Sequence, residues 1–223
     1  MGMSLAKRNF KKGFTLVELL VVISIFSILT GVVLFNQTKF DSTILLTNLA
    51  YDTALTIRQA QNYGINIKEF NGSGKFVPYG VHFKKDDPET PYNEGKSFIL
   101  FADLSYNSEQ DSGIGIYNLD NEANLLACEI ERGCVNRYNI QRGNYIKDIC
   151  EAEVSVGVFV CPGDTSRDSL DITFKRPNPD AFLRFDPYLE ESTLGVATVI
   201  LGSSDDSTRK VRIRSNGLIE IVN

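Results

Sequence analysis

Phe14 to Phe35 is a predominantly apolar run of 22 residues that holds one carboxylate, Glu18, and follows directly on Lys11-Lys12-Gly13. As a helix it spans roughly 33 Å at the standard rise, about the thickness of a bilayer's hydrocarbon core. A chain that begins this way must fold in lipid over one stretch and in water over the next. An ionisable group inside a span costs roughly 2.5–3.5 kcal/mol near the centre and less near an end, so Glu18 points to function. The cost falls where the carboxylate meets a cation. Cleavage between Gly13 and Phe14 would create one, the free amine of Phe14. That amine on one copy can neutralise Glu18 on another and draw identical helices side by side.

Gly13, Phe14, Thr15, Leu16, Val17 and Glu18, followed by the apolar run, resemble the processing site shared by type IV pilins and the pseudopilins of type II secretion. The resemblance implies that a membrane-embedded prepilin peptidase cleaves after Gly13 and methylates the amine of Phe14. It also implies that Glu18 aligns each incoming subunit with the one already in a filament. Other N-terminal signals fit less well. A secretory signal has a shorter apolar core and a small-x-small cleavage site, whereas this run is followed by Asn36-Gln37-Thr38-Lys39-Phe40. A lipoprotein signal needs a cysteine just after the run, and the first cysteine is Cys128. An ordinary signal anchor explains neither Gly13 nor Glu18.

The four cations of the leader, Lys7, Arg8, Lys11 and Lys12, place it on the cytoplasmic side by the positive-inside tendency. The rest of the chain is then expected to face outward from the cytoplasmic membrane. Formal charge is −5 for the whole chain and becomes −9 without those four, with 19 basic against 28 acidic residues. An acidic mature protein argues against bulk nucleic-acid binding, though not against a local basic patch.

We read residues 1–13 as a leader, 14–63 as one long helix whose membrane-spanning part is 14–35, and 64–223 as a β-rich extracytoplasmic domain. Residues 36–63 contain neither proline nor glycine, and Leu46, Leu49, Ala50, Ile57 and Ala60 recur near helical spacing. Gly64 offers a stop, and a break at Gly31 or Asn36 is the alternative. Alternation then predicts strands at 79–83, 97–102, 115–119, 125–130, 154–160, 170–174, 181–185, 197–201, 210–214 and 218–222. Asn216-Gly217 predicts a hairpin of the primed-turn type. The fold class is therefore α+β, an apolar-then-amphipathic N-terminal helix packed on a C-terminal antiparallel β-sheet domain. The order of long helix, Gly80-Val81-His82-Phe83, Phe98-Ile99-Leu100-Phe101-Ala102-Asp103 and a terminal hairpin is similar to minor pilins and pseudopilins of the H type. The segment 103–169 departs from that pattern and reads as an insertion.

All four cysteines, Cys128, Cys134, Cys150 and Cys161, fall in that insertion. Valines alternate from Val154 to Val160, and if Cys150 to Cys161 is one strand the two sulfurs lie roughly 35 Å apart. A disulfide needs Cα atoms within about 7 Å. Two full pairings then survive, Cys128–Cys150 with Cys134–Cys161 or Cys128–Cys161 with Cys134–Cys150. A bend at Gly157 would reopen the third. A four-cysteine zinc site lacks the usual Cys-x-x-Cys knuckle, and free thiols are the remaining alternative.

His82 is the only histidine, no Ser or Cys nucleophile is placed beside it in sequence, and a partly buried strand residue is its expected role. The acidic groups Asp86-Asp87, Asp103 with Glu109 and Asp111, Asp120 with Glu122, and Asp205-Asp206 fit no EF-hand loop. A calcium loop without nameable ligands is the alternative to solvated acids. We expect no catalytic residue, no cofactor and no metal, and so no enzyme. Lys210, Arg212 and Arg214 alternate with Val211 and Ile213, with Arg209 adjacent, so period-two geometry puts three cations on one face. Such a stripe can contact DNA phosphates at a filament tip. Otherwise it is a solvated face that protects a sheet edge. The expected partners are a prepilin peptidase, other pilin or pseudopilin subunits and, through the stripe, DNA. A membrane-anchored binding domain that never assembles is the contrasting possibility.

Overall fold

The computed structural model describes residues 13–66, 68–72, 74, 76–86, 94–104, 117, 128–152, 167–185 and 195–222. Residues 1–12, the expected strand 154–160, most of 115–119 and Cys161 lie outside them. The chain divides into two compact units, Met1–Asp41 and Ser42–Asn223.

One helix, α1, runs Leu16–Ile65 over 50 residues, and it is broken at neither Gly31 nor Asn36. Thr15 caps it, its Oγ1 accepting the Glu18 N–H at 3.2 Å. A threonine three residues before a glutamate is the sequence sign of a helix start. In the first unit the stretch Leu16–Leu34 is long and apolar enough to cross a membrane, and none of it is buried within the chain. Ser24 and Ser27 return their hydroxyls to the carbonyls of Val21 and Ile23 at 2.8 Å. These two hydroxyls are thereby satisfied on the helix's own backbone, as an apolar surrounding requires.

In the second unit the helix presents Leu46, Ala50, Ala54, Ile57 and Ala60 to a core shared with both sheets. The spacing keeps them on one face, and the three alanines let backbone approach backbone. The close approach culminates at Gly64, where an added Cβ would lie 2.3 Å from the carbonyl oxygen of Phe174. Gly64 therefore serves packing and lies inside the helix, which ends at Ile65. Gln61 fixes the same end by donating from Nε2 to the carbonyls of Pro179 and Gly217, each at 3.1 Å.

The strands are β1 Tyr79–Lys84, β2 Ser97–Ala102, β3 Cys134–Asn139, β4 Tyr145–Ala152, β5 Ser169–Phe174, β6 Ala181–Phe185, β7 Val196–Gly202, β8 Thr208–Arg214 and β9 Ile219–Val222. They form a five-stranded sheet ordered β3-β2-β1-β5-β6 and a four-stranded sheet ordered β4-β7-β8-β9. Every pairing is antiparallel, as the α+β reading expects. Two strands were not anticipated, β3 and β4, and both come from the segment read as an insertion. Each adds an edge strand to a different sheet. The expected strand 125–130 is corrected where it is described, since Ile130 opens a short 3-10 turn, Ile130–Arg132.

The β8–β9 turn also differs from expectation. Gly217 N–H donates to the Arg214 carbonyl at 2.8 Å and Arg214 N–H to the Leu218 carbonyl at 2.9 Å, which leaves a three-residue loop. Only Gly217 has positive φ, at 79°. This is a type I turn closed by a left-handed glycine rather than a primed two-residue turn. The Asn216 side chain explains the choice, accepting the Leu218 N–H on Oδ1 at 3.1 Å.

Candidate functional site

Gly13 and Phe14 precede the helix and are exposed, Phe14 at 79%. Gly13 and Phe14 lie in chain without regular structure, and the helix starts two residues after Phe14. Glu18 lies in the first turn, inside the span. There its charge also complements the positive end of the helix dipole. Among the described residues it has no ion-pair partner. Thr15 was not singled out from the sequence, although the Thr-x-x-Glu spacing could have found it.

The cationic stripe forms as expected, with Val211 and Ile213 buried and Lys210, Arg212 and Arg214 half-buried on the opposite face. Its surroundings weaken it. Arg214 donates from Nε and Nη2 to Glu220 at 3.2 Å, and Glu220 is the direct cross-strand partner of Arg212. Arg209 turns one Nη1 back to the Thr208 carbonyl at 3.0 Å. The expectation that the stripe guards a sheet edge is corrected, because β8 lies between β7 and β9.

Neither favoured disulfide pairing is found. Cys128 is bonded to Cys134, their Cα atoms 5.3 Å apart. The intervening 3-10 turn and Gly133, at φ 86°, fold six residues back on themselves. Cys150 is disulfide-bonded as well, while Cys161 lies outside the described residues. The elimination took Cys150 as the start of a strand, whereas Cys150 is near the end of β4, Tyr145–Ala152. Among the described residues no cysteine is a free thiol.

His82 is not a partly buried strand residue but a fully enclosed one, 4% exposed. It faces Asp171 directly across β1 and β5, Nδ1 lying 2.8 Å from the carboxylate. Tyr117 closes over the pair, its ring centroid 5.7 Å from that of His82 and 5.3 Å from that of Phe101. Burial pushes the Asp171 carboxyl above its ordinary range, while His82 and the Tyr117 backbone N–H pull the other way. A carboxylate orienting an imidazole is two-thirds of a nucleophilic triad. His82 Nε2 is buried without a hydrogen-bond partner among the described residues. Asp171 escaped the sequence reading because it interrupts an apolar strand covered on both faces, where alternation carries no signal.

Among the described residues no three His, Cys, Asp or Glu side chains converge as a metal site. Asp103 is buried and Asp205-Asp206 are exposed in the β7–β8 turn. Asp87, Glu109, Asp111, Asp120 and Glu122 lie outside the described residues.

Residues 8–34 match the family described as the prokaryotic N-terminal methylation motif. No curated protein matches the chain, and no solved structure does. The match covers Gly13, Phe14, Glu18 and most of the apolar run together, and this stretch is similar to the N-terminus of type IV pilins and pseudopilins.

Proposed function

We propose that the chain is a structural subunit, a minor pilin or pseudopilin, that works by assembly and not by catalysis. In this reading it is made as a cytoplasmic-membrane precursor with residues 64–223 on the extracytoplasmic side. Prepilin peptidase cuts after Gly13 and methylates Phe14, and α1 carries the subunit into a type IV pilus or a type II secretion pseudopilus. Gly13 is the cleavage determinant, Phe14 the new N-terminus and Glu18 the joint to a neighbouring subunit. The H-type likeness and the minor role belong to the same proposal.

One observation carries it: a methylation motif over residues 8–34 whose carboxylate is in an unburied apolar span with no ion-pair partner among the described residues. N-terminal peptide mass spectrometry on protein from native membranes tests the processing. The expected peptide starts at N-methylated Phe14. An intact leader, in cells that process their other prepilins, would sink the reading. Glu18→Ala tests the joint, with incorporation into filaments expected to fall to background. Unchanged function without incorporation would favour an anchored domain that never assembles.

A second reading, a DNA contact at a filament tip, draws on the three cations sharing one face of β8. The Lys210→Ala, Arg212→Ala, Arg214→Ala triple variant is expected to lose DNA retention while still assembling. DNA retention that survives the triple change removes this reading. Because Glu220 already engages Arg214, the stripe supports DNA contact less strongly than the motif supports assembly.

A further inference from the structure

Two asparagines in the chain begin an Asn-x-Ser/Thr triplet whose middle residue is not proline, Asn36-Gln37-Thr38 and Asn71-Gly72-Ser73. Such a triplet is the acceptor signal for attaching a glycan to the asparagine amide, and it serves on exposed loops. Asn36 is inside α1, Leu16–Ile65, where residues two apart do not face one another. An asparagine and a threonine are not presented together there. Asn71 is placed differently. It lies in the turn between the end of α1 and β1, and it is exposed, as are Glu69 and Gly72.

Local structure holds that turn outward. Phe70 is 9% exposed and packs with Tyr79 and Ala102, so the residue before Asn71 is anchored to the domain. Asn71 at φ 49° and Gly72 at φ 65° are successive left-handed residues, a backbone that asparagine and glycine tolerate best. Glu69 Oε1 accepts the Gly74 N–H and closes the turn. A Cβ added at Gly72 or at Gly74 would meet nothing within 4 Å. The acceptor asparagine is thus next to open space that a bulky group can occupy.

We propose that Asn71 is an N-glycosylation site whose donor is an oligosaccharide carried on a polyprenyl pyrophosphate in the cytoplasmic membrane. In the transfer Asn71 Nδ2 bonds to C1 of the reducing-end sugar as the C1–O bond to the pyrophosphate breaks. The leaving pyrophosphate keeps that electron pair, the amide gives one proton to a base of the transferase, and nothing is oxidised or reduced. Ser73 supplies the hydroxyl that the transferase reads at the third position. Glu69, two residues before Asn71, supplies a carboxylate for a cation of the transferase, a determinant that bacterial enzymes of this class also read. Glu69 exchanges its Gly74 contact for that cation when the turn is bound, an opening that an exposed turn permits. The proposal rests on residues 64–223 facing outward, the side on which the donor is used.

The test is peptide mass spectrometry on the full-length protein from native membranes, with protease digestion of spheroplasts to establish which side the domain occupies. Trypsin, cutting after Lys68 and Lys75, releases residues 69–75 as one peptide. That peptide is expected to carry a glycan whose innermost sugar stays on Asn71 during fragmentation. Asn71→Gln and Ser73→Ala should each remove the glycan, Ser73→Thr should keep it, and Glu69→Gln should lower the occupied fraction. Glutamine tolerates φ 49° less well than asparagine, so Ser73→Ala gives the answer if Asn71→Gln fails to fold. A peptide that is bare, or altered only by deamidation, in protein whose domain the protease reaches overturns the proposal and leaves the outward placement standing. A glycan that survives Asn71→Gln overturns it too, because the sugar is then linked to another side chain. A domain shielded from the protease overturns both, since the acceptor never meets its donor.

Discussion

Two carboxylates lie among apolar residues in this chain, and the fold treats them in opposite ways. Asp171 is enclosed with an imidazole 2.8 Å away and a backbone N–H from Tyr117, so its charge is answered inside the molecule. Glu18 stands on an exposed apolar helix, where among the described residues only its backbone N–H is engaged, by Thr15. A charge answered internally contributes to one folded unit. A charge left unanswered in an apolar setting is a demand on a partner, and that is how a subunit differs from a self-sufficient domain.

The sharpest way to break the comparison is to remove the internal answer. His82→Ala leaves Asp171 as an unpaired buried charge, a change worth about 3–5 kcal/mol in comparable pairs. Denaturant unfolding of the full chain should register a loss of that order. The loss should depend on pH. Burial raises the folded Asp171 carboxyl above its unfolded value, so its contribution is fully present below about pH 4 and fades as pH climbs through the folded value. Because His82 opposes that rise, the variant is relatively better tolerated in acid than at neutrality. A penalty independent of pH would mean that Asp171 is not the group affected.

Next in size is a contrast within α1 itself. Ile57 is fully buried and Ile28 is 68% exposed. Ile57→Ala should cost the second unit about 2–5 kcal/mol, whereas Ile28→Ala should leave its unfolding midpoint in place. Equal effects would show that both halves serve one core.

How much of this was legible in the sequence follows the same division. The apolar stretch with Glu18 and the methylation motif were readable because lipid imposes length and composition on a local stretch. β1, β2 and β5 to β9 were readable from apolar enrichment between turn residues. The edge strands β3 and β4 were not, although β6 and β9, which also end their sheets, were. In β3, Cys134–Asn139, only Cys134 is buried, and β4 carries Lys147, Asp148 and Glu151 with a register shift between Ile146 and Asp148. Of the candidate site, the motif residues were quoted from the sequence, but the capping role of Thr15 and the place of Asp171 were missed. Contacts between residues far apart in sequence, such as His82 with Asp171, leave no periodic trace.

A smaller effect is expected at the start of the second unit, where Ser42 donates to Asp205 at 2.5 Å. With Ser207 it holds the Asp205 carboxyl down at about 2. A depressed value means stability present above about pH 4 and lost as pH falls towards the folded value. Ser42→Ala should move the acid-unfolding midpoint slightly upward. The site is fully exposed, so the shift is small, and no shift would remove this contact from the stabilising set.

The smallest effect is the most discriminating. Glu18→Ala should change the denaturant midpoint of the second unit by no more than a few tenths of a kcal/mol, the range of substitutions that touch no packed feature. The cap is retained, because Thr15 Oγ1 engages the backbone of residue 18 and not its side chain. Stability unchanged and incorporation lost is the pattern of a joint, a residue that matters only when a second subunit arrives. If Glu18→Ala destabilises the second unit as His82→Ala does, the two carboxylates are not opposites. Glu18 would then be answered within its own chain, and the assembly role would have to be carried by another residue of the motif.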